Sequence, residues 1–489
     1  MKLRLLLLLG LVATGVSRLS AGYTYQLTSL SQEAFELCYY QGKVNGVFVK
    51  AVEAGDTIQL PAGEATWGDP ARANSGILYI ILPITIRGQG DSTVIRLHEG
   101  GATYTRGVLS MWSAATLADV KIIGAATRPV TAITSFAYNN SGAGGINYTG
   151  GFRVTNVTYD GGAGAGYFIY FGDTVMSGLI DNCRLTGGAG NAELIFGRGP
   201  TNAWQIDHTM GTAQNIFIEN CTFNGSGYVN DANSNARMVV RYNTITGPIK
   251  VDGHGVASNS PARSYRNMEV YGNNWTFSNV SNWAAIEMRG GTFMVFNNQS
   301  TIPAWFFLND YGYLAAWPNF GSQFQTPVNY PIKDQVGVGK DPKVAGSEPA
   351  YLWNNRAAGA VWRRQEKGIP QGAIDLYRTQ TGNPTASFSE RDLIRANRDF
   401  FAEAGFDDAA GVSTGPKAQM LASTPTLRNV GWWVTDEGEW NSTNGSAPDG
   451  QLYVWDGAQW QFKYRPYTYP HPLRGAGAPS NVRINVQVR

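Results

Sequence analysis

The sequence predicts an all-β protein in which parallel strands stack into a solenoid. Its 59 glycines and its low content of charged residues, 15% against ~25% in an average domain, are typical of turn-rich β structure. Residues 76–330 show almost no apolar periodicity of 3.6 residues, which argues against helices. Short strand-like segments recur instead at intervals of 22 to 38 residues, and such a period indicates stacked repeats.

Five segments align without gaps, and each is a short β-branched or aromatic run that ends in a polar corner. They are GLIDNCRL (178–185), NIFIENCTF (215–223), RMVVRYNTI (237–245), NMEVYGNNW (267–275) and TFMVFNNQS (292–300). One column of this alignment contains Cys183, Cys221, Asn243, Asn273 and Asn298. Because equal positions of stacked strands lie ~4.8 Å apart, the asparagines are expected to share side-chain hydrogen bonds along the stack. The two cysteines are expected to be buried thiols, and a bridge between them is left open.

Two segments near the N-terminus resemble the opening of proteins of the pectate-lyase-like superfamily. They are AVEAGDTIQLPAGEATW (51–67) and ITIRGQGDSTVIRL (84–97), preceded by a short helix over about residues 30–42 that would cap the open end of the stack. The resemblance covers roughly residues 45–310 and implies a right-handed parallel β-helix. Members of that superfamily are mostly secreted lyases, hydrolases and esterases of polysaccharides, together with non-catalytic relatives, so the resemblance indicates a fold more than one activity.

The chain is expected to divide into five parts. These are a signal peptide (1–21), an N-terminal cap and first turn (22–75), the parallel β-helix (76–330), a loop-rich C-terminal extension (331–415) and a small β module or cap (416–489). The extension is expected to contain one helix near residues 389–404, begun by Ser389. The last part has Asp-Gly turns between short strand-like runs, which favours a small β structure that covers exposed backbone.

The first residues predict export. Lys2 and Arg4 precede an apolar run from Leu5 to Ala13 that is too short to span a bilayer, and small residues follow it. Removing residues 1–21 leaves 35 basic and 36 acidic residues, so bulk electrostatics give no support for a nucleic-acid partner. We therefore expect a secreted, extracellular or periplasmic monomer without a membrane span, whose partner is an extracellular polysaccharide.

A second set of strands follows the polar corners and ends in functional groups. These strands are YFIYFGD (167–173), AELIFGRG (192–199), GYVNDAN (227–233), IKVDGHG (249–255) and AIEMRGG (285–291). Their ends supply a row made of Asp173, Arg198, Asp231, His254 and Arg289. If the strands stack, neighbouring members of this row lie ~5 Å apart, where charges couple. A purely structural reading, in which these residues pair with one another on a surface, carries about equal weight for any single residue.

The favoured chemistry is eliminative cleavage of a uronic-acid polymer. That reaction needs a base for the proton beside the carboxyl group, and His254 suits it because its ordinary pKa lies near neutral. Arg198 and Arg289 suit a carboxylate clamp because a guanidinium binds a carboxylate through two parallel hydrogen bonds. Asp231 and Asp252 would hold His254 in one tautomer or bind a Ca²⁺ ion, although two carboxylates are few ligands for calcium.

Other residues are expected to contact the substrate. Besides Asp173 of the row, these are Lys250, Asp252, Glu287 and Trp204. An exposed indole face packs well against the apolar face of a sugar ring. No residue is assigned to a metal site, and calcium stays an option rather than a prediction.

A hydrolase is the first alternative. The Gly-His-Gly triplet around His254, between Asp231 one turn earlier and Arg289 one turn later, resembles the order found in polygalacturonase-like inverting hydrolases. That family also carries a second aspartate and a lysine that are missing here. An inverting mechanism needs carboxyl groups ~6.5–9.5 Å apart, which Asp231 with Asp252 or Glu287 would have to supply. The second alternative is a non-catalytic glycan-binding or cell-surface β-helix protein.

Overall fold

A computed structural model of the chain places most of the residues after position 21. The residues described are 22–100, 107–135, 151–162, 166–172, 177–187, 193–200, 202–255, 263–276, 284–301, 305–307, 335–341, 344–366, 371–407, 411–445 and 447–475. Asp173 and the proposed signal peptide lie outside these ranges.

Most of the strands belong to one large sheet of 21 strands, in which nearly all pairings are parallel. We refer to it as the large sheet. Its strands are Thr24–Gln26, Thr57–Gln59, Gly63–Trp67, Thr85–Leu97, Thr116–Ile123, Phe152–Thr155, Thr158–Asp160, Gly178–Asp181, Arg184–Thr186, Ile216–Glu219, Thr222–Asn224, Arg237–Arg241, Thr244–Thr246, Asn267–Tyr271, Asn274–Thr276, Thr292–Phe296, Gln299–Ser300, Ala350–Trp353, Arg356–Ala357, Ala360–Val361 and Phe400–Ala402. The predicted all-β class is confirmed at the level of a mostly β chain with long parallel sheets, which fit a solenoid.

Ten further strands form a second parallel sheet, which we call the second sheet. Its strands are Leu78–Ile80, Leu109–Met111, Ile133–Ser135, Ile169–Phe171, Glu193–Gly197, Gly227–Ala232, Ile249–Gly253, Ile286–Met288, Trp305–Phe307 and Arg363–Arg364. The chain alternates between the two sheets, so each strand pairs with an equivalent strand tens of residues away. Apolar side chains of both sheets meet in one core, because successive side chains of a strand point to opposite faces.

The predicted alignment of the large-sheet segments is confirmed. Ile216 pairs with Met238, Met238 with Met268, and Met268 with Phe293, which is the register of the sequence alignment. Each of these strands turns a corner through a residue with positive φ, such as Asn220 at 56°. A short polar side chain or glycine tolerates this backbone conformation best.

The asparagine ladder is confirmed and is longer than predicted. The Nδ2 of Asn243 donates to Oδ1 of Asn273 over 2.9 Å, and Nδ2 of Asn273 donates to Oδ1 of Asn298 over 3.0 Å. Asn298 continues the ladder to Asn355 over 2.8 Å. Each amide is buried and also bonds backbone groups of the adjacent turn, so the ladder satisfies polar groups that the corner would leave unpaired. The cysteines of this column are buried free thiols.

The N-terminal helix of the sequence analysis is present. It spans Gln32–Gln41, begins at Ser31, whose side chain accepts from the backbone N–H of Ala34, and ends at Gly42 with φ of 63°. Its buried face includes Phe35 and Cys38, which belong to the same apolar core as the strands. The helix therefore covers the start of the stack. The adjacent two-stranded antiparallel sheet consists of Lys43–Val44 and Val47–Phe48.

The stack extends past residue 330, where the sequence analysis ended it. Ala350–Trp353 pairs in parallel with Thr292–Phe296, and Phe400–Ala402 pairs with Ala350–Trp353. The helix expected near 389–404 is a single turn, Glu390–Leu393, begun by Ser389 as predicted. The helix does not extend to residue 404, because Phe400–Ala402 forms a buried strand of the large sheet. Two unpredicted helices span Gln371–Thr381 and Lys417–Leu421, and short 3₁₀ turns lie at Ala73–Gly76, Ser442–Asn444 and Pro472–Arg474.

The C-terminal residues form a small sheet that packs against the side of the large sheet. Its strands are Val412–Gly415, Gly431–Val434, Gln451–Trp455 and Trp460–Tyr464. An apolar cluster joins Trp433, Leu452 and Tyr464 of this sheet to Phe296 and Trp353 of the large sheet. The C-terminal sheet thus covers an outer face of the stack and shields its apolar side chains from water.

Buried ion pairs hold the last described residues to the large sheet. Arg241 donates to Glu219 over 2.8 Å and to the backbone oxygen atoms of Tyr467 and Thr468. Arg153 pairs with Asp181 and donates to the backbone of Leu473 over 3.0 Å. In the part of the chain that is described, every helix is too short or too polar to cross a lipid bilayer.

Candidate functional site

The candidate site lies on the face of the second sheet that points away from the apolar core. In the strand Ile249–Gly253, Val251 points into the core, so its neighbours Lys250 and Asp252 point to the opposite face. His254 follows the strand with the same alternation. We call the following set the charged cluster. It contains Asp231, Lys250, Asp252, His254, Glu287 and Arg289.

Three carboxylates of the charged cluster are stacked on successive strands. Asp231 pairs in register with Asp252, and Asp252 pairs with Glu287. The sequence analysis had placed Asp231 in one row with His254, and this placement was wrong by two residues. One residue of this difference comes from a bulge between Tyr228 and Asn230, which ungapped alignment does not detect. The other was already present in the ungapped alignment, which sets Ala232 rather than Asp231 opposite His254.

The imidazole of His254 contacts acidic and basic groups at once. Its Nδ1 lies 3.2 Å from Oδ1 of Asp231 and 3.7 Å from Oδ2 of Asp252. The Nη2 atom of Arg289 lies 2.9 Å from the same Nδ1. The His254 side chain is 13% exposed, which is more than the other side chains of the charged cluster. His254 is therefore the member best placed to meet a ligand.

Cations neutralise the stacked carboxylates. Arg289 donates from Nη2 to Oδ2 of Asp252 over 2.6 Å, and its Nε lies 4.0 Å from Glu287. Lys250 pairs with Glu287, and its Nζ is 3.8 Å from Oδ1 of Asp252. Because burial strengthens Coulomb interactions, these pairs fix the cluster in one arrangement. The fork of Arg289 is directed at Asp252 and His254, so it orients these groups.

The stacked aspartates differ in acidity. Burial raises the pKa of Asp252, an effect that Arg289 only partly opposes. Burial also acts to raise the pKa of Asp231, but His254, Arg289 and Lys250 together outweigh it, and the net direction is downward. Asp231 is thus the carboxylate that stays ionised beside the imidazole.

The sequence analysis missed Glu193 and Tyr167, which lie next to the charged cluster. Glu193 begins the strand that pairs with Gly227–Ala232, and it is half-buried. Burial and the charge of Asp231 raise its pKa to about 7, against the opposing effect of a hydrogen bond with Tyr167. A carboxyl group that keeps its proton near neutral pH can donate it. Only a three-dimensional arrangement reveals such a group, because the sequence gives no measure of burial.

Two predicted residues lie apart from the charged cluster. Arg198 follows the strand Glu193–Gly197, is exposed, and has its guanidinium 5.8 Å from the ring of Phe196. Trp204 is buried, with the guanidinium of Arg263 3.6 Å from its ring. Its indole N–H donates to the backbone of Ser264. Trp204 thus offers little open ring face to a sugar.

Among the described residues, one small donor set could hold a metal ion. One ligand atom each from Asp231, Asp252 and His254 lie within 4.8 Å of one another. Calcium takes six to eight oxygen ligands at about 2.3–2.6 Å, whereas this set supplies two carboxylates and one nitrogen. The guanidinium of Arg289 also lies within hydrogen-bond distance of Asp252 and His254. These residues do not fit a calcium ion.

The arrangement combines a partly exposed imidazole, an ionised carboxylate beside it and a carboxyl group that is protonated near neutral pH. These groups can accept a proton at one point and donate one at another. Comparisons of the chain with protein-family models, with curated proteins and with solved structures found no match.

Proposed function

We propose that this protein is a secreted polysaccharide lyase that cleaves an acidic glycan by β-elimination. The position of His254 carries the proposal: it is the more exposed part of a buried charged cluster, with Nδ1 3.2 Å from Asp231. An imidazole that is partly exposed and held by charged neighbours can act as a general base. A buried polar cluster is costly to assemble, which favours a use beyond fold stability.

In the proposed reaction His254 removes the proton next to the substrate carboxyl group. The reaction requires the tautomer in which Nδ1 carries a proton and faces Oδ1 of Asp231, 3.2 Å away, because this leaves Nε2 as the base. Arg289 contacts Nδ1 of His254 and Oδ2 of Asp252 and positions these two groups. The electron pair of the broken C–H bond forms the new double bond, the glycosidic C–O bond breaks, and Glu193 gives its proton to the leaving oxygen.

Arg198 is proposed to hold the substrate carboxylate. It is exposed, and its strand lies two positions from that of His254, roughly 10 Å along the stack. An arginine side chain can reach over part of that distance, and its fork binds a carboxylate through two hydrogen bonds. The guanidinium of Arg198 lies 5.8 Å from the ring of Phe196, which stacks on the ring of Tyr170 with centroids 5.0 Å apart, so these rings help to position the arginine.

We also propose that the stack winds right-handed, as in the pectate-lyase-like superfamily, and that residues 1–21 direct export. The preference of parallel crossover connections for right-handed geometry supports the first point. The basic residues before a short apolar run support the second. An experimental structure tests the handedness, and N-terminal sequencing of protein exported by the native host tests the cleavage.

An inverting glycoside hydrolase is the second candidate, and the divergent acidities of Glu193 and Asp231 favour it. Such an enzyme pairs a protonated with an ionised carboxyl group ~6.5–9.5 Å apart. Asp231 and Asp252 have oxygen atoms within 4.8 Å of each other, which is too close for this role. Glu193 with Asp231 is the pair that a hydrolase would have to use.

One experiment separates the candidates. The purified protein is incubated with pectin, alginate and other uronans, while ultraviolet absorbance of the unsaturated product and new reducing ends are followed together. A lyase gives both signals and a hydrolase gives reducing ends alone. Retained binding with neither signal on any uronan would contradict both enzymatic proposals and leave a non-catalytic glycan-binding protein.

A further inference from the structure

Arg237 is a buried arginine that forms no ion pair with any of the residues that the structure describes. It begins the strand Arg237–Arg241 of the large sheet, is 3% exposed, and faces away from the core because the next residue, Met238, points into it. Within the described part of the chain, its Nε, Nη1 and Nη2 atoms have no hydrogen-bond partner. Buried guanidinium groups are rarely left in this state, because each unpaired donor has lost its hydration.

Arg241 lies on the same strand and the same face, and its buried guanidinium is fully paired, as is usual for buried arginines. It is 0% exposed, and its guanidinium donates to Glu219 over 2.8 Å, to Tyr271 over 2.9 Å and to two backbone oxygens. Four residues away, Arg237 has none of these partners. Asn267 lies opposite Arg237 in the register, but its amide bonds Asn215 and Thr209 instead.

The surroundings of Arg237 are basic. Burial and the neighbouring charge of Arg266 lower the pKa of Arg237 to about 10. Arg266 is itself buried, and the Glu348 carboxylate binds it with distances of 2.7 and 3.0 Å. Lys463 also lies near Arg266 and Glu348, and burial lowers its pKa. The carboxylate of Glu348 is thus already engaged by Arg266, and it forms no ion pair with Arg237.

We propose that Arg237 binds a small oxyanion, such as a phosphate, sulfate or carboxylate group, at this place on the large sheet. The guanidinium presents donors in a planar fork that matches two oxygen atoms of such a group. An anion here would satisfy the donors of Arg237 and reduce its repulsion with Arg266. The site belongs to the large sheet and the charged cluster to the second sheet, so the inference is independent of the proposed function.

The test measures thermal unfolding of the full chain in sodium phosphate, sulfate or acetate against sodium chloride at equal ionic strength. Because a ligand of the folded state stabilises it by mass action, phosphate or sulfate at about a hundred times its Kd should raise Tm by about 3 °C, with a saturable dependence. Arg237→Met should abolish the saturable part of the rise. Arg263→Met is the matched control, because Arg263 lies nearby but donates to the backbone of Gly339 and Lys340.

Two results would overturn the site. One is the absence of a saturable response to each of the three anions in the wild-type protein. The other is an equal response in Arg237→Met, which would mean general salt stabilisation. Should Arg237→Met fail to fold, Arg237→Lys keeps the charge and loses the fork, and it should raise the half-saturating concentration at least about tenfold. An unchanged concentration in the lysine variant would contradict the proposal as well.

Discussion

His254 and Asp231 face each other across adjacent strands, with Nδ1 of the imidazole 3.2 Å from Oδ1 of the carboxylate. Arg289 also approaches Nδ1, at 2.9 Å, and an arginine can only donate. Two tautomers follow from these contacts. If Nδ1 carries the proton, Asp231 accepts it and Nε2 is a base; if Nδ1 accepts from Arg289, Nε2–H is a donor.

The Asp231→Asn variant decides between these tautomers. An asparagine side chain can donate to Nδ1, so it favours the tautomer in which Nε2 carries the proton and cannot act as the base. We expect kcat on a uronan substrate to fall about 10²–10⁴-fold with a smaller change in KM. An increase in kcat, or no change, would mean that His254 acts through the other tautomer or not at all.

Replacement of His254 tests whether the imidazole is needed for chemistry. We expect His254→Ala to abolish uronan cleavage, while Tm changes by no more than a few degrees, because the side chain is at the margin of the charged cluster. Product absorbance and thermal unfolding are measured on the same preparation. His98→Ala is the control, since the side chain of His98 accepts a hydrogen bond from the nearby backbone N–H of Gly100 and lies in a different part of the chain. Retained activity with a large loss of stability would assign His254 to structure.

The pKa of Glu193 should set the pH above which activity declines. Its pKa is raised to about 7, so the proton needed by the leaving group is present below that pH and is lost above it. We expect kcat to decline as pH rises through about 7. Glu193→Gln should lower kcat by at least about 10²-fold and remove this decline. The exposed Glu33→Gln serves as the control, and an unchanged alkaline limb in the Glu193 variant would exclude Glu193 as the acid.

The large sheet could be predicted from the sequence because equal positions of successive repeats carry the same type of residue. Asn243, Asn273 and Asn298 occupy equal positions, and each corner demands a polar residue there, so ungapped alignment finds the register. The N-terminal helix was expected from the resemblance of the first segments to a known superfamily, and the structure shows that it begins at Ser31 and ends at Gly42. Asn355 was missed because a long insertion separates it from Asn298.

The charged cluster was predictable in its members and less so in its geometry. The alternation of Lys250, Asp252 and His254 along one strand shows that they share a face. The bulge near Tyr228 shifts the pairing register of Asp231 relative to the strand of His254. No residue type in the sequence marks the position of this bulge. Glu193 was missed because its importance comes from burial and from charges on other strands, which depend on the tertiary structure.

The asparagine ladder makes a stability prediction that is independent of function. Asn273 accepts from Asn243 and donates to Asn298 and to the backbone of Val240. Asn273→Ala leaves several buried groups unpaired, so we expect a loss of about 3 kcal/mol in the free energy of unfolding. Denaturant unfolding measures the loss. Thr246→Ala, an exposed position on a neighbouring strand, should change it by less than about 0.5 kcal/mol, and equal losses would mean that the ladder adds nothing specific.

The raised pKa of Glu269 should make the free energy of unfolding depend on pH. It is 0% exposed and accepts hydrogen bonds from Tyr464 over 2.5 Å and from the N–H of Gly211 over 2.9 Å, so it joins the large sheet to the C-terminal sheet. Burial raises its pKa from 4.5 to about 7. Between these values the folded protein keeps a proton that the unfolded chain releases. Stability from this group is therefore complete below about pH 4.5 and is lost as pH rises through about 7.

Glu269→Gln should remove this contribution, because a glutamine resembles the protonated acid at every pH. The difference in unfolding free energy between the variant and the wild type should shift in favour of the variant by about 1–3 kcal/mol from pH 4.5 to 7.5. Denaturant titrations at a series of pH values measure it, with Glu33→Gln as a control that should follow the wild type. A difference that stays constant with pH, or moves in favour of the wild type as pH rises, would show that Glu269 is ionised where it lies between the two sheets.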